Sequence, residues 1–110
     1  MDAVQATQQA CVYNDVYNVE CIQSDGLQSP AIKTLQGYRL ITCNILANIV
    51  VVIANDIASL QQEGDYCILS GMLQSQISVV LDVYKTLGYS VVKEYTQLEW
   101  ATLVLQKGRV

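Results

Sequence analysis

Four sets of residues in this chain could carry chemistry. Two are carboxylate pairs, Glu63 with Asp65 and Glu94 with Glu99. Paired carboxylates can divide general acid and base work between them. Glu63 and Asp65 flank Gly64 in a turn signal, where acids are ordinarily solvated. Glu94 and Glu99 would face one another across a hairpin, with Lys93 adjacent. The third set is Cys11, Cys21, Cys43 and Cys67. None forms a Cys-x-x-Cys pair, so a zinc site would need four distant thiols to converge. The fourth set is aromatic: seven tyrosines and Trp100, with no phenylalanine. Tyr and Trp join apolar area to a polar handle and are enriched at interfaces.

The chain has no histidine. It therefore lacks the usual general base and the commonest metal ligand. A Ser/His/Asp or Cys/His nucleophile cannot be built. Gly64, Gly71 and Gly88 stand isolated and make no phosphate loop. The expectation is a protein that is not an enzyme, with no catalytic, cofactor or metal site. Tyr84 falls on a helix stripe and reads as core. Strand parity leaves the face of Trp100 open. Tyr13 and Tyr17 precede a break in the chain and are interface candidates.

The elements that position these residues are clearest from Asp65 to Gln106. Tyr66 to Leu69 is a short apolar run after a Gly-Asp turn, which predicts a strand. Ile77, Val80, Leu81, Tyr84 and Leu87 recur at helical steps. Gly88 then stands where a helix end favours positive φ. Tyr89 to Tyr95 and Leu98 to Leu105 alternate and predict two strands joined at Thr96-Gln97.

The segment Tyr38 to Glu63 is ambiguous. Ile45, Ile49, Ile53, Ile57 and Leu60 share a helical face, but Ile49 to Ile53 also reads as a buried strand. Length and the four-residue recurrence favour a helix over about 42–62. Leu46, Val50 and Val51 make it apolar nearly all round, so Ile45, Ile49, Val50 and Ile53 are further interface candidates. Upstream, Gln23 to Pro30 is the clearest break, with a Ser-Asp-Gly turn cluster and Ser-Pro. The expected organisation is an N-terminal arm over 1–30 and a compact domain over 31–110. The arm's first dozen residues read as helix. Val12 to Val19 is β-rich, and the rest of the arm reads as a strand or an extended arm.

Composition narrows the function classes. Of 110 residues, 52% are hydrophobic and 15% charged, against roughly 25% charged in ordinary soluble domains. Apolar surface would then meet another subunit, which predicts a homo-oligomer. A net charge of −4 argues against a nucleic-acid partner. Lys107 and Arg109 read as a solvated basic end. Ile45 to Ile53 is too short to span a membrane. The start Met-Asp-Ala-Val has no basic flank and predicts no secretion signal. Cys43 and Cys67 then read as small buried hydrophobes of a reducing compartment, where a Cys11–Cys21 disulfide has no support.

The order of these pieces resembles small virion structural proteins of tailed bacteriophages. The pieces are a helix ending at Gly64, the strand Tyr66 to Leu69, a helix ending Leu87-Gly88-Tyr89-Ser90-Val91, and a hairpin closing on Leu98-Glu99-Trp100. The resemblance implies a head decoration, neck or baseplate component, assembled in the host cytoplasm with itself and other virion proteins. The alternative is a small phage-encoded inhibitor of a host factor. The fold expected is α+β, with a long central helix and a second helix packed on a small β-sheet.

Overall fold

The computed structural model describes residues 2–33 and 37–108. The chain divides into two compact units, Met1–Thr34 and Leu35–Val110.

The first unit carries helices α1 (Ala3–Tyr13) and α2 (Pro30–Lys33). A reciprocal cap starts α1: the Gln5 N–H donates to Asp2 Oδ1 at 2.8 Å, and the Asp2 N–H donates to Gln5 Oε1 at 3.3 Å. Two donors of the first turn are thereby satisfied. No residue of α1 is buried, and no strand forms between Val12 and Val19. The expected turn is present, with Gly26 at φ +56° and the Gln28 N–H bonded to the Asp25 carbonyl.

The second unit is a mixed α/β layer. Strand β1 (Leu40–Asn44) leads through α3 (Ala47–Val52) and α4 (Ala54–Leu60) to β2 (Tyr66–Leu73). A single 3-10 turn, Gln74–Gln76, precedes α5 (Ile77–Thr86), and the hairpin β3 (Tyr89–Gln97) and β4 (Trp100–Lys107) follows. The sheet order is β1-β2-β4-β3. β1 runs parallel to β2 in the register Leu40 with Tyr66 and Asn44 with Ser70. The other two pairings are antiparallel.

The helices pack on one face of the sheet. Val50, Ile57, Val80 and Tyr84 from the helices meet Cys67, Leu69, Met72, Leu103 and Leu105 from the strands, all fully buried. The α5 stripe expected from the sequence supplies Val80 and Tyr84. Gly88 ends α5 with φ +92°. The hairpin turn is Leu98-Glu99, two residues later than expected, with Leu98 held at φ +54°. Gln74 fixes that turn: its N–H bonds the Glu99 carbonyl at 2.8 Å and its side-chain amide bonds the Leu98 carbonyl.

Helices packed on a small sheet are present as expected, but the long central helix over 42–62 is not. Its first residues, Thr42 to Asn44, close strand β1. The remainder forms two short helices that meet at Ile53, where φ is −90° and ψ 4°. Val50-Val51-Val52-Ile53 is a β-branched run, and such side chains crowd the preceding turn of a helix. The four-residue recurrence arose because Ile45 is a loop residue that happens to continue the stripe of α3 and α4.

A buried polar network locks the helix layer to the sheet. Gln61, only 4% exposed, accepts from the Tyr89 hydroxyl at 2.6 Å and donates to the Tyr38 and Tyr66 carbonyls. Tyr84 donates to the Val50 carbonyl at 2.9 Å and meets the Tyr89 ring edge-on. Lys107 is not a solvated end: its ammonium donates to the Ala58 and Gln61 carbonyls, capping α4. Arg109 lies outside the described residues.

Candidate functional site

The candidate site lies where β1 ends. Asn44 is the last residue of β1, its side chain is exposed, and it stands beside Ser70 of β2. At that level β2 is interrupted. Leu69 pairs with Leu103 and Met72 with Ala101, so Ser70 and Gly71 together oppose Thr102. This is a β-bulge, with Gly71 at φ +84°. Bulges of this kind re-aim backbone and side chains and are frequent beside active sites.

The bulge brings two strand ends into close approach. A Cβ on Gly71 would lie 2.8 Å from Asn44 Oδ1, 2.8 Å from the Ile45 carbonyl oxygen and 3.1 Å from the Ile45 N. Two oxygen acceptors therefore sit on the same side of the Asn44-Ile45 loop. They border an open groove of about 600 Å³ whose other walls include Leu46, Ser70, Trp100 and Thr102. Trp100 is 49% exposed. It shares strand parity with Thr102, on the sheet face opposite the helices. Among the described residues no ionisable side chain lines this groove. It offers carbonyl-type acceptors, two hydroxyls and an aromatic wall, which suits a group that donates hydrogen bonds and carries an apolar stem.

Glu94 and Glu99 are not cross-strand partners, and Glu63 and Asp65 flank Gly64 at the rim of a second hollow lined also by Arg39, Leu40 and Tyr66. Asp65 Oδ2 accepts from the Gln62 N–H at 2.7 Å, closing its own turn. Glu94 is paired with Leu103 along the hairpin, while Glu99 is in the hairpin turn. Among the described residues no three Cys, Asp or Glu side chains converge as for a metal. Cys67 is fully buried, and burial pushes its thiol up to about 12. Burial also raises Cys43, Tyr84 and Tyr89. Cys11 and Cys21 are free thiols.

The interface candidates are dispersed. Tyr13 and Tyr17 are exposed in the first unit, and Ile49 is partly exposed on α3. Val50 and Ile53 are buried in the core. Ile45 lines the groove. Asn44 and Gly71 were not among the residues singled out for chemistry. The signal for Asn44 was an amide in an otherwise apolar run, which it shares with Asn48. The signal for Gly71 was a glycine inside a strand pattern, which marks a bulge or a close approach.

Comparison with known proteins gives a consistent answer. The family model described as ribosomal protein L11 methyltransferase (PrmA) matches residues 1–108. A ribosomal protein L11 methyltransferase of Caulobacter sp. (strain K31) is 33% identical over 90 residues, covering 82% of this chain and 31% of the relative. A relative of the same name from Streptococcus pyogenes is 34% identical over 72 residues, covering 66% of this chain and 23% of the relative. The crystal structure of a ribosomal protein L11 methylase from Lactobacillus delbrueckii subsp. bulgaricus superimposes with a TM-score of 0.85 at 19% identity, covering 97% of this chain and 54% of that one. A methyltransferase from Pyrococcus furiosus gives 0.75 at 17% identity, covering 96% of this chain and 58% of that one. This chain spans less than a third of the length of these sequence relatives.

These findings overturn the phage reading. The matching relatives are bacterial methyltransferases, not virion proteins, so the structural-component function, the virion location and the self- and virion-partner expectation fall together. The non-enzyme expectation falls with them. Its premise was that catalysis needs histidine or paired carboxylates. Transfer of a group from an activated donor to a well-held nitrogen needs neither. The helix, Leu-Gly-Tyr and hairpin order that carried the resemblance is ordinary helix-to-strand chemistry of an α/β layer.

Proposed function

Because this chain belongs to the ribosomal protein L11 methyltransferase family, we propose that it forms the acceptor side of a methyltransferase site. The donor would be S-adenosylmethionine, which when bound supplies an electrophilic methyl group. The acceptor would be an amine of ribosomal protein L11, the protein in the relatives' names, in the bacterial cytoplasm.

One observation carries the reading: Asn44 Oδ1 and the Ile45 carbonyl converge over the Gly71 bulge at the carboxyl end of a parallel strand. Ligands of open α/β sheets bind outside the carboxyl ends of the strands. An amine bound here would donate its N–H groups to these two oxygens, which fixes the nitrogen and turns its lone pair away from them. An uncharged amine is required, because an ammonium has no lone pair to give. Among the described residues no carboxylate lines the groove, so none of them favours the ammonium form through a fixed negative charge. Trp100 and Leu46 would flank the apolar stem of the acceptor side chain.

The residues present do not make a cradle for the donor. The six glycines are scattered along the chain and form no glycine-rich turn of the kind that lets a nucleotide approach backbone closely. The close approach at Gly71 is filled by the chain's own Asn44 and Ile45. The proposal is therefore confined to acceptor binding.

Titration of the isotopically labelled chain with ribosomal protein L11 tests it. Shifts should concentrate at Asn44, Gly71, Trp100 and Thr102. Shifts confined to α1, or no binding at high micromolar L11, would refute the acceptor assignment.

A further inference from the structure

We infer that the hairpin end beside the acceptor groove is a second recognition surface, where Tyr95 and Gln97, next to Trp100, hold the polypeptide that flanks the methylated amine. This rests on the acceptor reading for the identity of that polypeptide, a segment of ribosomal protein L11.

The antiparallel pairing builds the surface. Gln97 lies opposite Trp100, and Tyr95 lies opposite Thr102. Directly opposed residues share a sheet face, as do residues two apart along a strand. Tyr95, Gln97, Trp100 and Thr102 therefore stand together on the face away from α3, α4 and α5. Ala101 and Leu103, of the opposite parity, are buried. Tyr95 is 53% exposed, close to the exposure of Trp100. A further hollow of about 340 Å³ opens here, lined by Tyr95, Thr96, Gln97, Trp100, Ala101 and Thr102. Trp100, Ala101 and Thr102 also line the acceptor groove. The two concavities thus share a wall. A chain whose amine enters the groove can continue over Trp100 into the hollow.

The surface is held in place before any partner arrives. Gln74 ties down the turn through the Leu98 and Glu99 carbonyls. The Lys93 ammonium lies 5.1 Å from the centroid of the Tyr95 ring, a cation–π contact that favours one ring position. A surface already ordered loses little freedom when a partner binds. Among the described residues no carboxylate, ammonium or guanidinium lines the hollow. It offers a phenol, a primary amide, two threonine hydroxyls and two aromatic rings. That set suits peptide amide groups and an apolar side chain.

Continuity with the groove selects the occupant. A free small amine would fill the groove and leave the hollow empty, whereas an amine borne by a protein brings its neighbours along. Exposed aromatic rings can also stack nucleic-acid bases. Glu94 and Glu99 stand at this hairpin, and the chain carries a net charge of −4, which repels a phosphate backbone. A second copy pairing along β3 would meet Lys93, Glu94 and the bulge between Val91 and Lys93. Charges and bulges protect an edge from such pairing.

The test titrates the isotopically labelled chain with ribosomal protein L11 and, separately, with n-butylamine as a bare side-chain probe. L11 should shift Tyr95, Thr96 and Gln97 as well as Asn44 and Gly71. n-Butylamine should shift Asn44 and Gly71 and spare the hairpin. Tyr95→Ala should weaken L11 binding about tenfold or more, as truncating an aromatic anchor does, and leave the n-butylamine shifts unchanged. Tyr95→Phe keeps the ring and should bind L11 within about threefold of the unmodified chain. Both variants should melt within a few degrees of it, because Tyr95 is exposed. Val79→Ala, at an exposed site on α5, is the control and should bind L11 normally. L11 shifts at Asn44 and Gly71 that spare the hairpin would overturn the inference and leave the acceptor reading standing. So would a Tyr95→Ala chain that binds L11 at full strength. Hairpin shifts with none at Asn44 and Gly71 would do the reverse. n-Butylamine shifts at the hairpin would mean that no polypeptide is needed there, and overturn the inference. Hairpin shifts with a uridine oligonucleotide but not with L11 would assign the surface to nucleic acid and overturn it too.

Discussion

Gly71 and Asn44 approach so closely that a Cβ on the glycine would stand 2.8 Å from the asparagine Oδ1. The glycine is needed twice, for that contact and for φ +84°. A left-handed conformation alone costs a side chain about 1–2 kcal/mol. Gly71→Ala should therefore lower the melt by several degrees and move the Asn44-Ile45 loop. Acceptor binding should weaken more than the melt suggests. Unchanged melting and unchanged L11 binding would mean that the bulge does not set the site.

Gly88→Val probes a second left-handed joint. Gly88 has φ +92° and links α5 to β3, and its carbonyl accepts from the Gly108 N–H. The substitution should cost about 1 kcal/mol or more, read as a lower midpoint in urea with an unchanged slope. Because Gly88 is not at the groove, binding at Asn44 should persist at temperatures where the variant is folded. A neutral Gly88→Val would refute the joint.

Tyr89→Phe removes the hydroxyl that Gln61 Oε1 accepts from at 2.6 Å. Gln61 would keep its two donated bonds, to the Tyr38 and Tyr66 carbonyls, and lose the accepted one. An unsatisfied buried acceptor costs about 1–3 kcal/mol. Denaturant melts should show that loss, and Tyr89→Phe in a Gln61→Leu background should show much less of it. Equal losses in both backgrounds would remove the network from the account.

Alkaline pH should unfold the domain through its buried acids. Burial holds the Cys67 thiol at about 12, above its ordinary 9.0. The folded state therefore keeps a proton that the unfolded chain has lost. This contribution is complete below pH 9, shrinks as pH rises from 9 to 12, and is gone above that. One such group gives a slope of about 1.4 kcal/mol per pH unit within the window. Tyr84 and Tyr89, also raised by burial, add to the decline above pH 10. Melts of wild type and Cys67→Ala at pH 8 and pH 10 test this. The Cys67 variant should be less stable at pH 8 but lose less on going to pH 10. Parallel losses would place the titration elsewhere.

Much of the scaffold could be read from residue order, because each element there met one constraint. Ile77, Val80, Tyr84 and Leu87 left a single helical reading, Gly88 ended it, and the alternation after Tyr89 suited only a hairpin. Residues 40–60 met two constraints at once. Leu40, Ile41 and Cys43 of β1 run on through Ile45 and Leu46 into the apolar residues of α3 and α4, of which Val50, Ile57 and Leu60 are buried, so neither period dominates. The recurrence through Ile45, Ile49 and Ile53 then mimicked one long helix. The site was hidden for a different reason. Its acceptors are one neutral amide and one backbone carbonyl, and only the pairing of β1 with β2 brings Asn44 to Gly71. No charge, histidine or local spacing announces such a pair.

The most direct measurement is methyl transfer from radiolabelled S-adenosylmethionine to ribosomal protein L11 by a chimera in which this chain's residues replace the matching 90 residues of the Caulobacter relative, with and without Asn44→Ala. The account predicts label on L11 with the unmodified chimera and a loss of about a hundredfold or more with Asn44→Ala, comparable to deleting a positioned polar group at a reacting centre. The melt of the two chimeras should agree within a few degrees, since Asn44 is exposed. A folded chimera that transfers no label, or an Asn44→Ala chimera that transfers it at the full rate, would contradict the claim that this chain holds the methyl acceptor.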